Sequence, residues 1–295
     1  MYFLYRIGRF IALIIPRKLG YRIGAFITGF KFFFSRGERK AMLGNLKCIV
    51  GEDAPDLVKY PRYIYANFGK YLVDFFRAEK VDKQFVEKFI KIENIHYMDE
   101  ALKKGNGAIG LTAHLGNWEL CAQVMGIIGY KMNAVALTHM NNKVNDFFSK
   151  QRESKGVKVI PVGVSVRKCF SALKRNEVVG ILGDRDFSGE NGIQVDFFSK
   201  TMLAPKGPAV LSLRTKAAIV PAFVIRDEVD DCYFHYVFEQ PIYPESTGDE
   251  QADIRRITEQ YIKVIEKTIK KYPKQWFIFH EFWKASKVAQ KLYKS

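Results

Sequence analysis

From residue 107 onward, short apolar runs alternate with stretches of helical periodicity, and this alternation constrains the fold more than any other feature of the chain. The spacing predicts strands over Gly107–Ala113, Asn133–Leu137, Val157–Val162, Val178–Leu182, Ala218–Ile225 and Cys232–Phe238. Between them it predicts helices over Asn117–Ile127, Asn142–Lys155, Ser165–Arg175 and Pro205–Arg214. Strand and helix in alternation imply an α/β fold with a mixed, largely parallel sheet flanked by helices, its last strand antiparallel. Upstream, Tyr60, Tyr63, Ile64, Phe68, Tyr71, Leu72, Phe75 and Phe76 mark a helix or helix pair within Pro55–Lys80, and the aromatic stripe reads first as core. A final amphipathic helix carries Ile254, Ile257, Tyr261, Val264, Ile265 and Thr268 on one face and ends before Pro273. At 295 residues the chain is long enough to bury a full core.

The first 50 residues follow another rule. They hold Arg6, Arg9, Arg17, Lys18, Arg22, Lys31, Arg36, Arg39, Lys40 and Lys47 against a single acid, Glu38. Between those charges lie Met1–Tyr5, Phe10–Ile15 and Ile23–Phe30, none near the roughly 18 uninterrupted apolar residues of a spanning helix. A cleaved signal peptide is not expected, since no small-residue cleavage site follows a short apolar core. Apolar and aromatic runs divided by Arg and Lys suit helices lying in a headgroup layer, although an ordinary amphipathic helix packed on the domain shares the pattern. The net charge of +16 calls for an anionic partner. Nucleic acid is not expected, because the aliphatic runs would have no counterpart on a duplex. The expected organisation is a basic, membrane-associating helical region over 1–50 and an α/β domain over 51–295.

The chemistry is sought at strand ends, where open α/β sheets place it. His114 follows the first predicted strand of the alternation, and Glu119 falls in the first turn of the next helix. A carboxylate there could hold one ring nitrogen and leave the other to take a proton from a hydroxyl. Spacing alone is weak support, since five histidines and 31 acids give about 0.5 chance matches to the pattern. A second cluster, Gly183-Asp184-Arg185-Asp186-Phe187, ends another predicted strand and suits either an anion-orienting site or a local turn. Asp196–Lys200 followed by Pro205–Ala209 reads as a loop leading to a helix start, where backbone N–H groups near Lys206 could hold a phosphate or simply form a cap. Arg152, late in the second helix, is by itself an ordinary surface residue. Cys48, Cys121, Cys169 and Cys232 form no metal-ligand pattern, so no metal is expected, and Cys121 reads as a core thiol rather than a nucleophile. Scattered thiols fit a reducing compartment.

Taken in order, these elements resemble the bacterial lipid A late acyltransferase family within the lysophospholipid acyltransferase-like superfamily. His114-Leu-Gly-Asn-Trp-Glu119 resembles its His-x4-Asp/Glu motif, Gly44-Asn-Leu46 its Asn-Leu signature, and Arg152 with Gly156 and Asp184 its later Arg, Gly and Asp. Phe197-Phe198, Gly207-Pro-Ala209, Val220-Pro221 and the group Trp276, His280, Trp283 resemble its remaining elements. Ser199 stands where a Gly is usual after the two Phe, and Glu281-Phe282 where Arg-Arg is common. The resemblance implies transfer of an acyl chain from an acyl carrier protein or acyl-CoA thioester to a hydroxyl of an anionic membrane lipid, without a cofactor. It implies His114 and Glu119 as catalytic residues and Asn117, Arg152, Asp184, Arg185 and Lys206 as substrate-binding ones. It implies a protein peripheral or monotopic on the cytoplasmic face of the inner membrane. The alternatives are a lysophospholipid or glycerol-phosphate acyltransferase, and a non-catalytic basic membrane-binding protein.

Overall fold

The computed structural model describes residues 2–138, 141–162, 165–185 and 192–284. Asp186 and Phe187 of the second charged cluster lie outside the described residues, as do Lys287, Lys291 and Lys294 near the C-terminus, a stretch that reads from sequence as a basic amphipathic end or a solvated charged terminus. Four helices come first: α1 (Tyr2–Ile14), α2 (Arg17–Phe34), α3 (Arg36–Val50) and α4 (Tyr60–Phe76). The remainder runs α5 (Lys83–Phe89), β1 (Ile90–Glu93), α6 (His96–Lys103), β2 (Ala108–Thr112), α7 (Trp118–Ile127), β3 (Met132–Ala136), α8 (Asn142–Glu153), β4 (Val157–Pro161), α9 (Ser165–Lys174) and β5 (Val178–Leu182). It then continues through β6 (Gly192–Phe197), β7 (Lys200–Pro205), α10 (Gly207–Thr215), β8 (Ala218–Arg226), β9 (Phe234–Phe238) and α11 (Glu250–Lys271).

Seven strands form one sheet in the order β1-β9-β8-β2-β5-β3-β4. Every neighbouring pair is parallel except β8–β9, the antiparallel last strand that the sequence predicts. β8 is buried at each of its positions, as a strand covered on both faces must be. One face packs on α6 and α7 through Met98, Leu120, Val124 and Met125. The other packs on α9, α10 and α11 through Leu173, Leu211, Ile257, Ile262 and Ile265. β1 was not expected, because Ile90-Lys-Ile-Glu93 is too short to establish a period and is selected by pairing with β9, beyond which it forms the sheet edge.

The stretch 196–200, read from sequence as a loop, is instead the tip of an antiparallel hairpin of β6 and β7. Phe198 and Ser199 both have positive φ, 52° and 57°, the pair of values that a tight primed hairpin turn demands. That backbone explains why glycine would be at home at position 199 and why Ser199 there is strained. The Phe198 N–H donates to the Glu266 carboxylate at 2.9 Å and Phe197 is fully buried. The hairpin tip is therefore a packing element against α11.

The N-terminal helices join this body without a seam. Met42 and Leu46 of α3 share a core with Leu57, Ile64, Tyr65 and Phe277. α2 crosses α4 at paired glycines, where a Cβ on Gly24 would lie 2.6 Å from the Gly69 carbonyl oxygen. While one face of α2 is buried through Gly20, Tyr21 and Thr28, the opposite face exposes Ile23, Phe26, Phe30 and Phe33, and α1 likewise exposes Phe3, Phe10 and Ile14. Among the described residues no helix is long and apolar enough to cross a membrane.

Candidate active site

β2 and β5 are hydrogen-bonded neighbours in which Thr112 lies opposite Leu182. His114 and Asp184 each sit two residues beyond those positions, so the parallel register delivers them side by side. Gly183 N–H donates to the Thr112 carbonyl at 2.8 Å and extends the pairing to the point where the side chains diverge. The His114 segment is clamped from the other side, where its carbonyl accepts from Phe277 N–H at 3.0 Å and Leu115 bridges to Trp276. Gly116 then turns the chain at φ 62°, and any Cβ there would collide with the Val224 carbonyl. Asn117 caps α7 by accepting from Leu120 N–H at 3.2 Å. Asn117, which the resemblance implies as substrate-binding, is buried and committed to the helix end.

The carboxylate on the His114 ring is Asp184 and not Glu119. His114 Nδ1 lies 2.8 Å from Asp184 Oδ1, and Asp184 Oδ2 accepts from the His114 backbone N–H and from Trp276 Nε1, each at 3.2 Å. Burial alone opposes ionisation of Asp184, but His114, Arg185 and the Trp276 bond outweigh it and hold the carboxyl below its ordinary range. An ionised carboxylate can only accept, so Nδ1 carries the ring proton and basicity resides at Nε2. Burial first, and the Arg185 charge next, depress the His114 pKa against the opposing pull of Asp184 and Glu119. The ring is thus a neutral imidazole at neutral pH, the state that a general base requires.

Glu119 has a different partner. Arg152 Nε and Nη2 donate to its two oxygens at 2.9 and 2.6 Å, a fork in which the two side chains are only 12% and 9% exposed. Arg152, which the resemblance implies as substrate-binding, thus has two of its three guanidinium nitrogens engaged by Glu119. Sequence spacing missed this pairing because Arg152 arrives from α8, beside β3 and β4. Glu119 remains part of the same chamber: Trp118, its neighbour, has its ring 5.2 Å from the imidazole and stacks on Tyr71 of α4 at 4.3 Å. Arg185 lies 3.7 Å from Asp184 and donates to the Phe277 carbonyl at 2.8 Å. The Cys121 thiol is pushed up to about 12 by burial, which disfavours the thiolate a nucleophile would need.

A cavity of about 680 Å³ opens from this chamber over the sheet. Its floor is made of missing side chains: Gly110, Gly180 and Ala134 lie at matching register on β2, β5 and β3, so a trench crosses three strands at right angles. Met98, Met125 and Met132 line it, and His114, Glu119, Arg152 and Lys206 line it as well. Among the described residues no group of three or more His, Cys, Asp or Glu side chains is placed to hold a metal ion.

The chain is 27% identical over 269 residues to the phosphatidylinositol mannoside acyltransferase of Mycolicibacterium smegmatis, covering 88% of this chain and 84% of that protein. It is 26% identical to the protein of the same name from Mycobacterium tuberculosis H37Rv, covering 88% and 82%. It is 25% identical to the lipid A biosynthesis palmitoleoyltransferase of Escherichia coli K12, covering 92% and 86%. The family model described as bacterial lipid A biosynthesis acyltransferase matches residues 1–285, and with that span matched the chain belongs to this family of acyltransferases.

Proposed function

We propose that the protein moves a fatty acyl chain from an acyl carrier protein or acyl-CoA thioester to a hydroxyl of a membrane glycolipid, with His114 as general base. The observation that carries this reading is the Asp184-oriented imidazole at the head of an apolar trench. Nε2 takes the proton of the acceptor hydroxyl as its oxygen attacks the thioester carbonyl. Collapse of the tetrahedral intermediate breaks the C–S bond, and the imidazolium returns the proton to the departing thiolate. No covalent acyl-enzyme is needed, in keeping with a neutral, buried Cys121. Glu119 and Arg152 hold α7 and α8 together around the acceptor side of the chamber, and Lys206 offers its charge to the phosphates of donor or acceptor. The decisive experiment supplies acyl-CoA or acyl carrier protein together with membrane lipid and measures thiol release. Release that does not depend on added lipid, or none with either donor, would reject the reading. Mass spectrometry of lipids from cells lacking the protein then identifies the acceptor as the species short by one acyl chain.

If the trench holds the acyl chain, filling it shortens the chain accepted. A Cβ on Gly110 would find its nearest neighbours at 3.5 and 4.0 Å, ordinary contact distances, so Gly110→Ala adds a methyl group beside the trench without a clash. Each methylene displaced costs roughly 0.8 kcal/mol, about fourfold in kcat/KM, and the optimum should move to shorter donors. An unchanged chain-length profile would place the acyl chain elsewhere.

The exposed stripes of α1 and α2 are the proposed seat on the cytoplasmic face of the inner membrane. Since α2 also packs on α4, deleting it would unfold part of the core, and substitutions test the point more cleanly. Phe26→Asp with Phe30→Asp, at side chains 76% and 62% exposed, should leave thermal stability unchanged. Burial of each ring contributes roughly 1.5–3 kcal/mol, so vesicle binding should weaken by at least about 100-fold. Undiminished binding would show that this face does not meet lipid.

A further inference from the structure

A second cavity, of about 330 Å³, lies at the elbow between α1 and α2, on the opposite side of α7 from the trench. Leu120 lines it, whereas the neighbouring Glu119 and Cys121 line the trench. Four cations surround it: Arg17, Arg77, Lys80 and Lys88. Two of them hold the end of α1, since Arg77 donates to the carbonyls of Ala12 and Ile15, and Lys80 Nζ donates to Leu13 at 2.6 Å. The two carboxylates in the wall are already committed. Asp74 pairs with the buried Arg226 and accepts from Tyr21, while Asp82 caps α5 by accepting from Phe85 N–H at 2.8 Å. Arg17 is the exceptional member. Its Nη2 donates to the Cys232 carbonyl and its guanidinium carbon lies 4.0 Å from the Phe89 ring centre, yet Nη1 is buried with no hydrogen-bond partner. Lys88 Nζ stands 5.4 Å from that same ring. A guanidinium donor left unsatisfied away from water costs free energy that an oxyanion would recover, and a surplus of positive charge sets the sign of the ligand.

We propose that this elbow cavity binds the phosphate of an anionic membrane lipid, as a docking point separate from the acceptor site. Position selects the source of the phosphate. Ile14 and Leu19, one on each side of the elbow, are exposed and continue the apolar stripes of α1 and α2. With those stripes in a bilayer the cavity sits at headgroup level, so the inference rests on the membrane seating proposed above. Arg17 then grips the phosphate from within and Lys88 closes on it from the rim.

Vesicle co-sedimentation at fixed salt tests it, with phosphatidylcholine alone and phosphatidylcholine containing one fifth phosphatidylglycerol. The intact protein should bind both and prefer the anionic vesicles. Arg17→Gln with Lys88→Gln should lose at least ten times more of that preference than Arg6→Gln with Arg22→Gln, which removes equal charge from exposed positions. Removal of a charge near an anionic surface costs about 1 kcal/mol wherever it lies, so equal losses would mean diffuse attraction and overturn the site. Should Arg17→Gln lower the melting temperature, Lys88→Glu at an exposed side chain carries the test and must lose more than Arg22→Glu. Thermal stabilisation by inorganic phosphate with no preference for phosphatidylglycerol would assign the cavity to the free ion and overturn the lipid assignment. Failure of the intact protein to bind phosphatidylcholine overturns the membrane seating itself, whereas binding that phosphatidylglycerol does not improve overturns only the elbow site.

Discussion

His114→Ala is expected to lower kcat/KM for acyl transfer by ~10²–10⁴-fold, the range a positioned general base contributes, while leaving the fold and vesicle binding intact. The side chain stands on a turn fixed by backbone bonds to Phe277, Gln275 and Val224, so its loss removes chemistry and little scaffold. Retention of more than about a tenth of wild-type turnover would show that another group takes the proton. The pH profile is a second check. Burial depresses the His114 pKa below its ordinary 6.5, so the neutral, basic form persists as pH falls past that value. The acid limb of kcat/KM should therefore lie below pH 6.5, and a limb above it would place the basicity elsewhere.

Asp184→Asn should approach the His114 loss, and this expectation separates the present geometry from the simpler reading of the His-x4-Glu pattern. Asp184 accepts from three donors: the His114 backbone, His114 Nδ1 and Trp276 Nε1. An amide keeps one acceptor oxygen and turns two donors toward the site, which favours the tautomer with its proton on Nε2. Replacement of a buried carboxylate that fixes a catalytic histidine costs about 10⁴ in turnover where it has been measured in a triad. Glu119→Gln leaves that tautomer alone. It weakens the Arg152 fork, and it should raise KM and lower stability before it touches kcat. Steady-state kinetics of the two variants decide, because the reverse order of kcat losses would return Glu119 to the imidazole.

The sheet was legible because its strands are apolar, short and bounded by turns, and six of its seven strands fall within two residues of their predicted limits. The exceptions share a cause. β1 is selected by Phe234–Val237, distant in the chain, and the β6–β7 hairpin, though paired locally through a turn without glycine, is held by α11 and Trp276. The site residues were legible as residues, since His114, Glu119, Arg152 and Asp184 all line or adjoin one chamber. Their pairing was not. Which carboxylate meets the imidazole depends on β5 lying next to β2, an adjacency that local periodicity does not encode. One signal did exist in the chain: Thr112-Ala113-His114 and Leu182-Gly183-Asp184 place their polar residues at the same offset beyond two apolar runs. Two parallel strands that end alike bring their following side chains together.

Asp74, described above as a wall of the elbow cavity, also fixes how the molecule comes apart. Its carboxylate is shared by Tyr21 of α2, Arg226 at the end of β8 and Asn117, the cap of α7. Both partners of the Asp74–Arg226 pair are almost wholly buried, and removing one member of such a pair costs roughly 3–5 kcal/mol. Fraying of the N-terminal helices would strip Asp74 of its Tyr21 donor while the Arg226 pair remains, so the loss is felt at a carboxylate that also holds the end of β8 and the cap of α7. Melting is thereby expected to be cooperative across the N-terminal helices and the sheet, as one transition that takes the chamber and the exposed apolar stripes together.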